Sequence, residues 1–237
     1  MKGLIWHMKL PGTYRHELKY PINTADCYAL RQRISSFMKR DLHTGEDGLY
    51  TVRSIYFDNA DDKALREKIY GVQKREKFRI RYYNDDLSFI ALEKKIKYND
   101  LCMKLDAQLN RDEYLALLSG ETEWMRSHPS ELVRELYCKL KYQQLRPRVM
   151  VSYLREPYVY PPGNVRVTFD SKIRTSLFSR SFLFDEVRDI CATDSSGDVI
   201  LEVKYDAFLP EIISCLLQTE GLRRQAFSKY GACRRFG

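Results

Sequence analysis

The chain has 237 residues, enough for one large domain or two small ones, and its seventeen tyrosines suit a strand-rich fold with a real core. Forty lysines and arginines stand against 32 acidic residues, so the formal net charge of +8 draws anions without forming a basic tail. Six cysteines without CxxC spacing exclude a zinc ribbon and a disulfide scaffold and fit a reducing cytoplasm. No segment approaches the roughly eighteen apolar residues of a membrane span, so the chain reads as soluble.

In chain order, residues 1–12 form a lead-in closed by Pro11 and Gly12, ahead of a single domain over 13–237. Next, TYRHELKY alternates as a strand, with Arg15, Glu17 and Lys19 on one face and Tyr14, His16, Leu18 and Tyr20 on the other. Pro21 is expected to end it. Asn23 or Thr24 then caps a helix over 25–39 whose apolar stripe is Tyr28, Ile34, Phe37 and Met38. GEDG at 45–48 is a turn, and 49–58 is a strand carrying Val52, Ile55 and Phe57. Asn59 or Asp61 starts a short helix through Lys63, Leu65 and Ile69.

The segment from Lys77 to Lys104 reads as three successive strands. Lys77, Arg79, Arg81 and Tyr83 share a face opposite Phe78, Ile80 and Tyr82, and Ala91, Glu93, Lys95 and Lys97 oppose Ile90, Leu92, Lys94 and Ile96. Asn110 with Glu113 predicts a capping box, and Gly120 suits the left-handed end of that helix. A second helix after Pro129 repeats Leu132, Val133, Leu136, Tyr137 and Leu140 at three-and-four spacing until Arg146 and Pro147 stop it. Strands are expected over 148–158, 165–175, 181–189 and 198–206, then a helix over 211–222 opened by Pro210, then the tail FSKY at 227–230. The scattered cysteines read as small core residues.

These elements predict an α+β fold, an antiparallel β-barrel of eight strands with helices packed outside. A lone RxR on a strand is ordinarily a solvated surface, but the pattern recurs on at least six strands. If those faces converge, the interior is wide, wet and cationic, because a dry one cannot hold so many uncompensated charges. Its natural occupant is a string of phosphates, met by arginine forks and lysine point charges. The glutamates on the same faces either pair with the cations or hold Mg²⁺ or Mn²⁺.

Nine pieces in order, RHELKY (15–20), SIYFD (54–58), RIRYY (79–83), LEKK (92–95), LCMK (101–104), VSYLR (151–155), VRVTFD (165–170), ILEVKYD (200–206) and FSKY (227–230), together resemble the VTC domain. This is the polyphosphate polymerase branch of the triphosphate tunnel metalloenzymes, the CYTH-like superfamily. The resemblance runs from about Tyr14 to Tyr230 and implies an eight-stranded triphosphate tunnel. It implies that Arg79, Arg81, Lys95 and Lys104 serve the transfer, that Lys19, Arg155, Arg166, Lys204 and Lys229 bind phosphate, and that Glu202 carries the metal. The implied activity is metal-dependent transfer of the γ-phosphate of ATP to inorganic polyphosphate, with no nucleic acid and no membrane insertion, but room for a membrane-protein partner. Arg15 departs from the wider superfamily, whose first strand often reads ExExK, and this fits the polymerase branch better than a two-metal hydrolase or a cyclase. Two alternatives stay open: a triphosphatase on the same fold, and a non-catalytic module binding polyphosphate or inositol phosphates.

Overall fold

Strands with charged residues on one face and apolar residues on the other can satisfy both only if the two faces meet different surroundings. The computed structural model, which describes residues 14–176, 190–191, 199–219 and 222–234, does this by closing the sheet on itself. The expected lead-in and the expected strand over 181–189 lie outside the described residues. Strands β1 (Arg15–Ile22), β3 (Tyr50–Asp58), β4 (Lys74–Tyr83), β5 (Asp86–Tyr98), β6 (Leu101–Leu109), β7 (Arg146–Tyr160), β8 (Val165–Ser176) and β10 (Val199–Tyr205) form the ring. Their order is β7-β3-β4-β5-β6-β1-β10-β8, and β8 pairs back onto β7. Two short strands, β2 (Lys39–Arg40) and β9 (Ile190–Cys191), flank β7 and β8. All pairings are antiparallel.

Two apolar layers clothe the outside. On one side, α3 (Arg111–Ser119) and α4 (Glu131–Tyr142) bury Tyr114, Leu117, Leu132, Val133 and Leu136 against Ile55, Phe78, Ile80, Ile90 and Leu92. On the other, α1 (Thr24–Ser35) and α5 (Glu211–Leu216) set Leu30, Ile34 and Ile213 against Val167, Phe169, Leu201 and Val203. A third cluster lies on the inward faces: Val52, Tyr56, Val149, Val151, Tyr153 and Ile200 close around Tyr230 and Cys233 of α6 (Lys229–Cys233). One end of the barrel is thereby plugged, and the charged faces open toward the other.

The capping box of α3 and its glycine terminus at φ 90° follow the sequence expectation. Several expectations need correction. Strand β1 continues through Pro21, because Lys19 directs its carbonyl away from β10 to the Gln225 N–H at 2.9 Å. Pro21 shares that orientation, so its missing N–H removes no ladder bond. The stripe of α1 is Cys27, Leu30 and Ile34 continued by Met38, while Tyr28 and Phe37 are exposed. Helix α5 ends at Leu216 instead of running to 222. Cys27 and Cys233 are buried, but Cys138 and Cys215 are exposed.

The N-terminus of α2 (Lys63–Ile69) was expected to be capped by Asn59 or Asp61. Asn59 does accept the Lys63 N–H at 3.0 Å, but the main cap is Asp58. Its carboxylate, fully buried, accepts the N–H groups of Asn59 and Ala64 at 2.9 Å and of Leu65 at 3.2 Å, and the Tyr230 hydroxyl at 2.6 Å. One side chain thus joins β3, α2 and α6. Asp58→Ala leaves those donors buried without a partner, so urea unfolding is expected to lose about 3 kcal/mol or more, with Tyr230→Phe losing about 1–2 kcal/mol. A loss for Asp58→Ala no larger than for an average surface substitution contradicts this role.

A charged lumen as the candidate active site

Because the charged faces of β1, β4, β5, β6, β8 and β10 all turn inward, residues far apart in sequence become neighbours. On β4 and β5, Arg79 stands opposite Glu93 in the ladder and contacts its carboxylate through Nε and Nη2, each at 2.6 Å. Arg81 lies 3.7 Å and Lys104 of β6 3.2 Å from the same carboxylate. Burial raises the Glu93 carboxyl, but Arg79, Arg81 and Lys104 prevail and hold it well below the usual carboxylate range. Tyrosines complete the setting: Arg79 donates to the Tyr56 hydroxyl at 2.9 Å, and Arg81 donates to Tyr153 at 3.4 Å.

The second group gathers on β1, β8 and β10. Glu17 and Glu202 each lie within ion-pair reach of both Lys19 and Lys204, at 3.5–4.0 Å, and Lys95 of β5, two strands away round the ring, joins Glu17. Arg155 of β7 grips Asp170 through two 2.7 Å hydrogen bonds and reaches Glu202 at 3.2 Å. Lys229 of α6 meets Asp170 at 2.5 Å and Glu202 at 3.9 Å, so the plug contributes a cation to the site. Burial raises the Asp170 carboxyl, yet Arg155 and Lys229 bring it below its ordinary value; burial likewise opposes Glu202, which Lys19 and Lys204 hold well down. Arg166 sits apart toward the open mouth, bonded to Tyr50 and paired with Asp41, both at 2.8 Å.

All ten residues singled out from the sequence therefore face the lumen or its mouth, and nine of them, all but Arg166, fall into these two linked groups. The expectation of uncompensated charge is revised, because Glu17, Glu93, Asp170 and Glu202 each serve several cations. Asp170, which alternates with Arg166 and Thr168 on one face, and Lys77, which continues the face of Arg79 and Arg81, lie outside the ten, and strand alternation is the signal that finds both. No sequence signal marked Tyr56 and Tyr153 as the arginines' partners. Arg15, the departure on the first strand, turns to Asp206 at 2.7 Å and the Asn164 carbonyl at 2.6 Å. Among the described residues no group of three or more His, Cys, Asp or Glu side chains could cage a metal. Glu17 and Glu202 share the neighbours Lys19 and Lys204, and such a carboxylate pair suits Mg²⁺ or Mn²⁺, which takes one or two carboxylates and completes its shell with water and phosphate oxygens.

Among the described residues compensation falls furthest short at Lys77 and Lys204. Burial, with Arg75, Lys95 and Lys19 around it, pushes the Lys77 ammonium down to about 7, and its Nζ lies 4.9 Å from the centre of the Tyr230 ring. Burial pushes Lys204 down to about 8 against the pull of Glu202 and Glu17. A lysine depressed on folding costs stability while both states are charged. That cost fades as pH rises from about 7 toward the unfolded value, because the folded state releases its proton first. Lys77→Met is therefore expected to be more stable than the parent at pH 6, by about 0.5–2 kcal/mol, with the advantage shrinking by pH 9.5 in paired urea titrations. A variant less stable than the parent at pH 6, or an advantage that grows with pH, contradicts the assignment.

Comparison with known proteins gives a family. The VTC domain model matches residues 14–236. No curated protein sequence matches the chain. Among solved structures, an adenylyl cyclase candidate from Hippeastrum with a dominant triphosphatase activity is similar at 13% identity, covering 86% of this chain and 83% of that one, with a TM-score of 0.49. A Pyrococcus horikoshii protein is similar at 15% identity over 91% of this chain and 96% of its own, with a TM-score of 0.48. With its family model spanning nearly all of the described barrel, the chain belongs to the VTC domain family.

Proposed function

We propose that this chain is an ATP-dependent polyphosphate polymerase of the cytoplasm, one domain over 13–237 that transfers the γ-phosphoryl group of ATP to the end of a polyphosphate chain. The observation that carries the reading is the shortfall of negative charge in the lumen, where among the described residues eight cations, Lys19, Arg79, Arg81, Lys95, Lys104, Arg155, Lys204 and Lys229, share four carboxylates, Glu17, Glu93, Asp170 and Glu202. A string of phosphates is the ligand that removes this shortfall along the length of a tunnel. The family and the register of the charged faces support the same reading.

Arg79 and Arg81, aligned by Glu93, Tyr56 and Tyr153, present N–H groups whose orientation is set before substrate enters. Lys95, Lys104 and Lys204 are part-exposed and meet phosphate from the accessible side of the lumen, while Lys19, Arg155 and Lys229 stand deeper beside their carboxylates, and Arg166 receives phosphate at the mouth. In the transfer, a terminal oxygen of the acceptor forms a bond to the γ-phosphorus as its bond to the β-phosphate bridging oxygen breaks, releasing ADP. Charge spreads over the three equatorial oxygens, where fixed cations act most strongly, so no protein nucleophile is needed. Glu202, with Glu17 beside it, is the proposed seat of the divalent ion, which when bound supplies further neutralisation of phosphate charge.

Incubation with ATP and Mn²⁺ or Mg²⁺, resolved by gel and phosphorus NMR, is expected to give chain-internal phosphate signals with matching ADP. Lys104→Ala, at a half-exposed position that tolerates truncation, is expected to slow synthesis by about 10-fold or more. Orthophosphate without chain product identifies a triphosphatase, and intact ATP with saturable polyphosphate binding identifies a binding module; either result overturns the polymerase.

A further inference from the structure

We propose that the aromatic pair Tyr83 and Phe89, at the open mouth of the lumen, stacks the base of the bound nucleotide. This rests on the reading that the lumen takes the triphosphate, and it adds which part of the substrate the mouth recognises. Phe89 is 49% exposed and belongs to none of the three apolar clusters, so packing does not account for it. Its neighbour Ile90 is fully buried against the outer helices, which turns Phe89 to the lumen side, in line with Ala91 and Glu93.

The ring of Phe89 lies 6.4 Å from that of Tyr83 at an interplanar angle of 28°. Tyr83 is held from behind by Tyr50, edge-on at 5.5 Å and 85°, and the Tyr50 hydroxyl accepts from Arg166. The pairing of β4 with β5 slips register between Arg81 and Tyr83, so Tyr83, on the same strand face as Arg79 and Arg81, stands at an irregular end of the ladder just beyond the last arginine. A braced ring beside a half-exposed one, continuous with a cationic groove, is the arrangement that holds a nucleobase by its π-face while the phosphates run inward. Phe89 and Glu93 are four positions apart, about 13 Å along the strand, so base and γ-phosphate occupy different levels of one groove. Stacking reads ring area and not hydrogen-bonding edges, so ATP and GTP should bind alike and more tightly than CTP or UTP.

The test is titration calorimetry of wild type, Phe89→Ala and Phe89→Trp with ATP and with inorganic tripolyphosphate in the same buffer. Phe89→Ala is expected to weaken ATP by about 5- to 100-fold while leaving tripolyphosphate within about 2-fold, and Phe89→Trp is expected to keep ATP binding. The tripolyphosphate titration also reports whether the variant has folded. Equal loss for both ligands, or no loss for ATP, overturns the stacking site and leaves the phosphate reading standing. Wild type that binds neither ligand overturns both.

Discussion

A cation inside a closed sheet has to be paired, hydrated or neutralised, and the lumen is built around that constraint. Removing a charged side chain from water costs several kcal/mol unless a partner offsets it. Here four carboxylates, Glu17, Glu93, Asp170 and Glu202, each reach more than one cation, so the barrel can close around them. Because each carboxylate is shared, the compensation is partial, and it fails most at Lys77 and Lys204. A lumen neutralised completely would hold no attraction for an anion, and one neutralised much less would not fold.

The apolar part of the lumen gives the charged part its rigidity. Tyr56 and Tyr153 belong to the inner cluster with Val149, Val151 and Tyr230, yet their hydroxyls accept from Arg79 and Arg81. Guanidinium groups braced in this way lose little freedom when a ligand arrives, which is where a preorganised site gains over a flexible one. Helix α6 links the two parts: Tyr230 fills the apolar end and bonds Asp58, while the preceding Lys229 reaches Asp170 and Glu202. Integrity of the plugged end and placement of a lumen cation therefore depend on the same short helix.

Much of this was legible in the sequence because alternation along a strand depends on sterics alone. The inward faces of β4, β5 and β10, with Arg79, Arg81, Glu93, Lys95, Glu202 and Lys204, could be read directly. The capping box at Asn110 was equally local. What could not be read depends on contacts between distant segments. Nothing near Asp58 announces that it will meet a tyrosine 172 positions away. Tyr28 and Phe37 fit an apolar stripe by spacing, but the sheet surface under α1 takes Cys27 and Leu30 in their place beside the expected Ile34 and Met38. Lys77 shares the face of Arg79 and Arg81, but among the described residues it has no carboxylate in ion-pair reach, a fact that exists only once the barrel has closed.

If the under-neutralised lumen is the seat of the phosphate chain, a crystal structure with tripolyphosphate bound is expected to show the phosphates in line through the lumen, their oxygens within hydrogen-bonding distance of Arg79, Arg81, Lys95 and Lys204, with Lys77 turned toward them. Phosphate bound only on the outer surface, with the lumen ion pairs unchanged, contradicts it.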